Sequence, residues 1–255
     1  MVVTVLGSGT SQGVPVIGCD CPVCRSKDPR DKRTRTSIMV QTDRVTVVVD
    51  AGPDFRAQML REGVEHLDAV FITHEHKDHI GGLDDVRPFI FKQQNTPMPL
   101  YVDKTALPEI KREFSYAFKE HLYPGAPTFE VHLIDETPFT FGDLYVEPIK
   151  LKHYTLTCYA FRMGKFAYVT DFHEISKKAL SRLEGVEYLI IEALGHKKHY
   201  SHISLEQAVE IATQLKVKKA WFTHCSHQIG KAEEVNAELP DNMMLAYDGL
   251  SFEIL

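Results

Sequence analysis

With 255 residues, 44% of them hydrophobic, the chain has enough apolar material for one large domain or two small ones, and its composition is not that of a disordered segment. Its 29 Lys and Arg against 35 Asp and Glu give a formal net charge of −6, so the totals offer none of the broad basic surface that a general nucleic-acid binder carries. The N-terminus has no basic lead and no apolar run reaches about 18 residues, so neither a signal peptide nor a membrane span is expected, and the reading is one cytoplasmic domain over residues 1–255.

Residues 2–6 read as a short apolar strand that runs into the turn-rich Gly7-Ser8-Gly9-Thr10-Ser11-Gln12-Gly13. Gly7-Ser8-Gly9 alone could be taken for a nucleotide loop. Val14-Pro15 stands where a helix would have to begin, so the dinucleotide fingerprint fails and the stretch reads as a turn beside the site. Residues 38–40 and 45–49 are a predicted hairpin around Thr42-Asp43. A helix is predicted over 54–61 after Asp50-Ala51-Gly52-Pro53, and an apolar strand over 69–72 leads into Thr73-His74-Glu75-His76. Further strands are expected near 99–102, 129–134, 144–151, 159–163, 166–170, 188–192 and 220–223, with helices near 105–118, 176–183 and 205–215. Phe89, Phe91, Phe114, Tyr116, Phe118 and Tyr123 crowd residues 85–127, which read as core beneath a helix, with a pocket wall or a dimer contact as alternatives. Hairpins come first and strand–helix alternation later, which points to sheets covered by helices and away from a purely parallel doubly wound fold.

His74-Glu75-His76-Lys77-Asp78-His79 sets three imidazoles and the Asp78 carboxylate within six residues. Side chains at i and i+2 of an extended segment point the same way, so His74 and His76 can share one metal ion. Asp78 and His79 lie just beyond, where Ile80-Gly81-Gly82 turns the chain, and can face a second ion roughly 3.5 to 4 Å from the first, the separation in two-metal hydrolases. Imidazole with carboxylate suits Zn, Mn or Fe. Two ions need further ligands, and His153, Asp171 and His224 each follow an apolar predicted strand. A solvated His-rich turn is the plain alternative, and the strand ahead of the motif speaks against it.

Cys19-Asp20-Cys21-Pro22-Val23-Cys24 offers three thiolates within six residues, three corners of a tetrahedral zinc site. In a reducing compartment, three clustered cysteines out of five read as metal binding and not as disulfides. His227, three residues past His224, is the chosen fourth ligand, because it would tie the N-terminal loop to the active-site edge. Cys225 is the rival, although its place beside His224 suggests that it turns away into packing. Between Asp171 and His224, His202 sits in Tyr200-Ser201-His202-Ile203-Ser204 ahead of a predicted helix. An imidazole with a neutral-range pKa suits a general acid that protonates a leaving alkoxide. His66, His121, His132 and His173 lack partner spacing and are expected in packing or at solvent, as are His196 and His199 of His196-Lys197-Lys198-His199, whose lysines read as a solvated turn.

The HxHxDH signature of His74, His76, Asp78 and His79, followed by Gly81-Gly82, resembles that of the metallo-β-lactamase superfamily. Thr10-Ser11-Gln12-Gly13-Val14-Pro15 and Asp50-Ala51-Gly52 also look like features of that family, so the resemblance spans nearly the whole chain. It implies an α/β fold, an αββα sandwich of two mixed sheets with helices outside and ligands on loops along one sheet edge. It implies that His74, His76 and His153 hold one ion, that Asp78, His79 and His224 hold the other, and that Asp171 bridges them, with Asp78 also counted as catalytic. The combination of CxCxxC, HxHxDH and a C-terminal HxxH resembles the cyclic phosphodiesterases of phosphonate breakdown. That resemblance implies two active-site divalent ions (Zn or Mn), one structural Zn, a homodimer and a small phosphorylated substrate such as phosphoribosyl cyclic phosphate. A branch involved in pyrroloquinoline quinone biosynthesis also carries a cysteine cluster, with a less complete metal motif. In the expected reaction a hydroxide bridging two ions attacks phosphorus and His202, whose position matches the family's acid histidine, protonates the leaving group. The rivals are an endonuclease resembling transfer-RNA 3′-processing enzymes, whose protruding Gly-rich basic arm has no counterpart in the sequence, a thioester or lactone hydrolase of the same fold, and a non-catalytic zinc-stabilised binding module. Nucleic acid and membrane are therefore not expected as partners.

Overall fold

A computed structural model of the chain describes residues 1–254. β1 (Val2–Gly7), β2 (Ser37–Gln41) and β3 (Thr46–Val49) pair antiparallel, since the short turn between β2 and β3 permits only a hairpin return. After α1 (Phe55–Arg61), β4 (Ala69–Phe71), α2 (Lys77–Ile80), α3 (Arg87–Lys92), β5 (Met98–Asp103), α4 (Leu107–Glu113) and β6 (Phe129–Ile134) follow, and each of these strands lies parallel to the strand before it because a long crossover intervenes. The second half repeats this plan. β7 (Phe139–Phe141), β8 (Leu144–His153), β9 (Leu156–Met163) and β10 (Phe166–Val169) pair antiparallel. Then α5 (Lys177–Arg182), β11 (Tyr188–Glu192), α6 (Leu205–Leu215), β12 (Lys219–Thr223), α7 (Ala232–Glu238) and β13 (Met243–Leu245) extend the sheet in parallel. β14 (Ser251–Glu253) crosses back to pair antiparallel with β1. The orders are β14-β1-β2-β3-β4-β5-β6 and β13-β12-β11-β10-β9-β8-β7.

The period of two along each strand divides its residues between two layers. Val47 and Val49 face the opposite sheet, where Phe161, Phe166, Tyr168 and Trp221 meet them. Val48 faces outward against Phe55, Met59 and Ile80 of the helical layer. On the other sheet Ala167, Ile191 and Phe222 face outward against Ala179, Leu205 and Ala208. Two mixed seven-stranded sheets with helices on both outer faces are therefore the αββα sandwich that the resemblance implies. Fully burying one such apolar side chain contributes about 1.5–3 kcal/mol, and all three layers are lined with them. Among the described residues no helix is long and apolar enough to cross a membrane.

The helix expected over 105–118 is shorter than the sequence suggests. The backbone and hydroxyl of Thr105 bond Asp103 instead of starting a helix, Pro108 fits the first turn of α4, and Phe114 leaves helical geometry ahead of a 3-10 turn at Ser115–Phe118. α3 begins around Pro88, which is tolerated in the first turn of a helix. Of the aromatic stretch, Phe89 and Phe114 are buried beneath these helices, while Phe91 and Tyr123 are exposed.

Candidate metal centre

The strands that run parallel release their carboxyl ends at one edge, where open α/β sheets place their ligands. Three of these exits contain a non-glycine residue in the left-handed region: Asp50 after β3 (φ 67°), Asp171 after β10 (φ 54°) and His224 after β12 (φ 55°). Asp and His are among the residues that tolerate this conformation, and the sharp exit turns each side chain across the sheet edge. β4 ends in the same place. Past Thr73, His74 and His76 lie on one side of an extended segment with ring centroids 4.6 Å apart, and α2 then carries Asp78 and His79 around the turn. Gly52 lets the Asp50 turn approach this helix, since a Cβ there would lie 2.0 Å from the Asp78 carbonyl oxygen.

Asp171 occupies the centre. Its Oδ2 is 3.7 Å from His74 Nε2, 3.4 Å from His79 Nε2 and 3.8 Å from His153 Nε2, and its Oδ1 is 3.5 Å from His224 Nε2. Asp78 Oδ2 lies 3.4 Å from His79 Nε2 and 3.7 Å from His224 Nε2, and His76 Nδ1 is 3.3 Å from His153 Nε2. Adjacent ligands of a tetrahedral ion with bonds of 2.0–2.2 Å stand about 3.3–3.6 Å apart, which is the scale of these separations. The Nε2 atoms of His74, His79 and His224 are buried and have no hydrogen-bond partner in the protein. An unsatisfied buried group costs about 1–3 kcal/mol, so three of them converging on one carboxylate is the arrangement a cation resolves. Two sets of donors could each hold a metal ion, His74, His76, His153 and Asp171 in one and Asp78, His79, Asp171 and His224 in the other.

The opposite nitrogens are held by the protein. His79 Nδ1 donates to Asp50 Oδ2 at 2.7 Å, His153 Nδ1 to the Ser201 carbonyl at 2.9 Å, and the Thr73 hydroxyl lies 3.0 Å from His74 Nδ1 while itself bonding Asp50. These contacts fix which nitrogen faces the ion. Burial pushes His74 well below the usual imidazole range and His153 down to about 4, which keeps both neutral and able to ligate. Burial also opposes charge on Asp171, but the surrounding His224 and His79 prevail and hold it well below the usual carboxylate range. Asp78 is held low in the same way, with burial opposed by His79 and His224.

The cysteine loop meets the other side of the His224 segment. Cys19, Cys21 and Cys24 Sγ lie 3.3, 3.5 and 3.6 Å from His227 Nδ1, close to the spacing of a tetrahedral Cys3His site. The Cys24 backbone N–H draws the Cys21 thiol down to about 6, while burial lifts Cys24 to about 11. Cys225 is outside the cluster. Its thiol points into the core and donates to the Phe222 carbonyl at 3.4 Å.

A cleft of about 640 Å³ opens over this centre, lined among others by Thr10, Gln12, Asp78, Tyr154, His202 and His224. His202 Nδ1 is 2.7 Å from Glu192 Oε2, and its ring stacks on His224 at 4.8 Å between centroids. Sequence reasoning missed Glu192 and the role of Asp50, although each ends an apolar strand as Asp171 and His224 do. It also set His199 aside with the solvated turn. In the structure the His199 ring lies 5.4 Å from that of His202 and lines the cleft, with the Ser201 backbone N–H donating to its Nδ1. His196 stays outside, bonded to the Ile229 carbonyl.

The family model for the β-lactamase superfamily domain matches residues 45–225, the segment that carries Asp171 and all the histidines and carboxylates gathered around it. The chain belongs to this metallo-β-lactamase superfamily. A crystal structure of a diphosphatase from the PhnP family superposes with a TM-score of 0.92 at 42% identity, covering 98% of this chain and 96% of that one. An octanoyltransferase of Porphyromonas gingivalis is 38% identical over 248 residues, 96% of this chain but 50% of the relative. A ribonuclease Z of Agathobacter rectalis is 21% identical across 89% of this chain and 94% of its own length. The chain spans about half the length of the first curated relatives it matches.

Proposed function

We propose that the chain is a divalent-metal-dependent phosphodiesterase that cleaves a small phosphodiester, with His202 as general acid. The observation that carries this reading is the convergence of three buried, unpartnered imidazole nitrogens on Asp171 with His202 beside them in an open cleft. The PhnP-family relative supports it, since a diphosphatase also breaks a phosphorus–oxygen bond.

His74, His76 and His153 would hold one ion, Asp78, His79 and His224 the other, and Asp171 would bridge them. Bound there, divalent ions supply Lewis acidity at the phosphoryl oxygens and lower the pKa of water. The protein supplies the proton. Burial and the nearby Asp171 push the Glu192 carboxyl up and burial pushes His202 down, while the 2.7 Å contact pairs Glu192 Oε2 with His202 Nδ1, so the acid form we propose is the pair without net charge. In that state one proton lies in the Glu192–His202 hydrogen bond and a second remains on His202 Nε2, facing the cleft. Donating it to the leaving oxygen leaves Glu192 ionised, where it accepts His202 Nδ1–H and the Phe172 backbone N–H. Asp78 has the opposite task. Held well below the usual carboxylate range, its exposed edge orients an attacking water by accepting a hydrogen bond and does not keep the proton.

The test is hydrolysis of bis(p-nitrophenyl) phosphate by the chain loaded with Mn²⁺ or Zn²⁺, beside a thioester and a lactone. Turnover of the diester that disappears in Asp171→Ala supports the proposal. Turnover of only the thioester or lactone would make it a hydrolase of another class. An RNA substrate is the second reading, raised by the ribonuclease Z similarity, but no Lys or Arg lines the cleft among the described residues to neutralise a polyphosphate backbone.

A further inference from the structure

The walls of the cleft above His202 are aromatic, and their placement is tied to the site. Tyr154 directly follows His153 in the two-residue turn between β8 and β9, and Tyr200 directly precedes Ser201, whose carbonyl holds His153 Nδ1. Their rings meet edge to face with centroids 5.6 Å apart, and His199 lies 4.2 Å from Tyr200 and 5.4 Å from His202. A continuous row of rings therefore runs from the acid histidine to the cleft mouth. At the mouth the rings are uncovered, Tyr154 being 58% and Tyr200 70% exposed. Tyr154 also holds a left-handed backbone at φ 52°, where glycine would be the unstrained choice, so its ring is kept in place at a local conformational cost.

The charge of the cleft narrows what such a wall would receive. Its lining contains Asp78, Asp171 and histidines, with no Lys or Arg among the described residues. The phosphate over the Asp171 cluster would be met by the ions held there, but a second, terminal phosphate would find no protein cation. The volume of about 640 Å³ is that of a pocket for a whole small molecule and well beyond what one phosphate occupies.

We propose that Tyr154 and Tyr200 form a subsite for a planar, uncharged ring on the leaving side of the substrate, so that the substrate class is a nucleoside or aryl phosphodiester whose negative charge is confined to the reacting phosphate. The leaving side follows from the row ending at His202, the group that protonates the departing oxygen. This inference rests on the phosphodiesterase reading and departs from phosphoribosyl cyclic phosphate, which carries a further phosphate and no ring system to stack.

The test compares kcat/KM of the metal-loaded chain for adenosine 2′,3′-cyclic phosphate, for methyl riboside 2,3-cyclic phosphate, which lacks the base, and for the same abasic compound phosphorylated at its 5-position. Stacking on aromatic side chains, at ~1–3 kcal/mol per base, predicts a preference of about 5–150-fold for the adenosine compound. The preference should persist in Tyr154→Phe and Tyr200→Phe, which keep the rings, and fall toward unity in the Tyr154→Ala/Tyr200→Ala double variant. Equal rates with and without the base, a preference that survives the double alanine variant, or faster turnover of the 5-phosphorylated compound would each overturn the subsite. If none of the three is hydrolysed, turnover of bis(p-nitrophenyl) phosphate decides whether the phosphodiesterase reading stands, and calorimetric binding of adenosine 5′-O-methyl phosphate decides the subsite separately. Binding that weakens by the same factor in the double alanine variant upholds it, and absence of binding to the wild type removes it.

Discussion

Glu192 Oε2 lies 2.7 Å from His202 Nδ1 inside a strand end that is wholly buried, so the histidine proposed as general acid is positioned by a carboxylate that solvent does not reach. Glutamine at position 192 has the same shape, but its single acceptor oxygen cannot serve both the Phe172 backbone N–H and His202 Nδ1–H, which Glu192 meets with separate oxygens, and it cannot store the second proton that leaves His202 Nε2 protonated. Glu192→Gln should therefore lower kcat for a diester with an alkoxide leaving group by about 10²-fold or more, within the range of general acid catalysis. For bis(p-nitrophenyl) phosphate, whose phenolate departs without help, the loss should stay below roughly tenfold. His202→Ala should show the same split. Equal losses on both substrates, read from steady-state rates, would remove the acid role and leave a structural one.

Asp50 offers a second test, because it holds His79 Nδ1, the Thr73 hydroxyl and the Thr73 backbone N–H at once. Asp50→Asn keeps the size of the side chain, and asparagine tolerates the left-handed backbone at this position. What it loses is the negative charge that orients His79. Partners of this kind change metal affinity by about 10–100-fold, so the Asp50→Asn variant should release metal to a competing chelator at correspondingly lower chelator concentration. Unchanged metal affinity would show that the Asp50 contact serves folding alone.

How far the sequence reveals this site depends on whether a residue's neighbours are local. The His74–His79 segment is legible because its spacing follows one strand and one helical turn, and both are visible in the hydrophobic pattern. The early hairpin and the later strand–helix alternation are legible for the same reason, but the repetition of that plan in the second sheet is not, because Phe139–Phe141 and Met243–Leu245 are too short to show a period. Asp50 and Glu192 are harder to assign, since a carboxylate ending a strand looks the same whether it meets solvent or a histidine. Their partners are set by strand pairing, with Val49 beside Phe71 and Glu192 beside Thr223. His199, Tyr154 and Tyr200 lie in turns whose course is fixed by distant contacts. β14 pairs with β1 from the far end of the chain, and three residues leave too little periodicity to announce a strand.

Away from the cleft, Asp28 gives a stability prediction with a defined pH dependence. Its carboxylate caps the 3-10 turn Pro29–Asp31 by accepting the Arg30 backbone N–H at 2.8 Å, and it also pairs with the Arg30 guanidinium. These two contacts hold its pKa below the ordinary 3.8, the guanidinium hydrogen bonds first. A depressed folded pKa means that the unfolded chain binds the proton more readily, so the contribution is fully present above 3.8 and is lost as pH falls through the folded value. Asp28→Ala should cost about 1 kcal/mol at neutral pH by loss of the cap. In urea titrations the gap between wild type and variant should narrow only in the acid range. A gap that is constant with pH would mean that the ionised carboxylate contributes nothing.

The cysteine cluster joins residues 19–24 to His227, three residues beyond His224, so its loss should be felt as a lost cross-link as well as a lost ion. Cys21→Ser removes one proposed ligand from a position near the surface and leaves the buried Cys24 in place. The variant should retain one equivalent of zinc fewer than wild type when metal content is measured after dialysis. A lost cross-link between distant segments costs about 2–4 kcal/mol, which for a chain of this size lowers Tm by roughly 5–10 °C. Apart from His224, the Asp171 cluster sits on strand ends remote in sequence from the cysteine site, so its own metal content should be the same in Cys21→Ser and wild type. Loss of all metal together would instead show that the cysteine loop and the catalytic edge assemble as one unit. An unchanged zinc count and Tm would remove the structural zinc from the molecule.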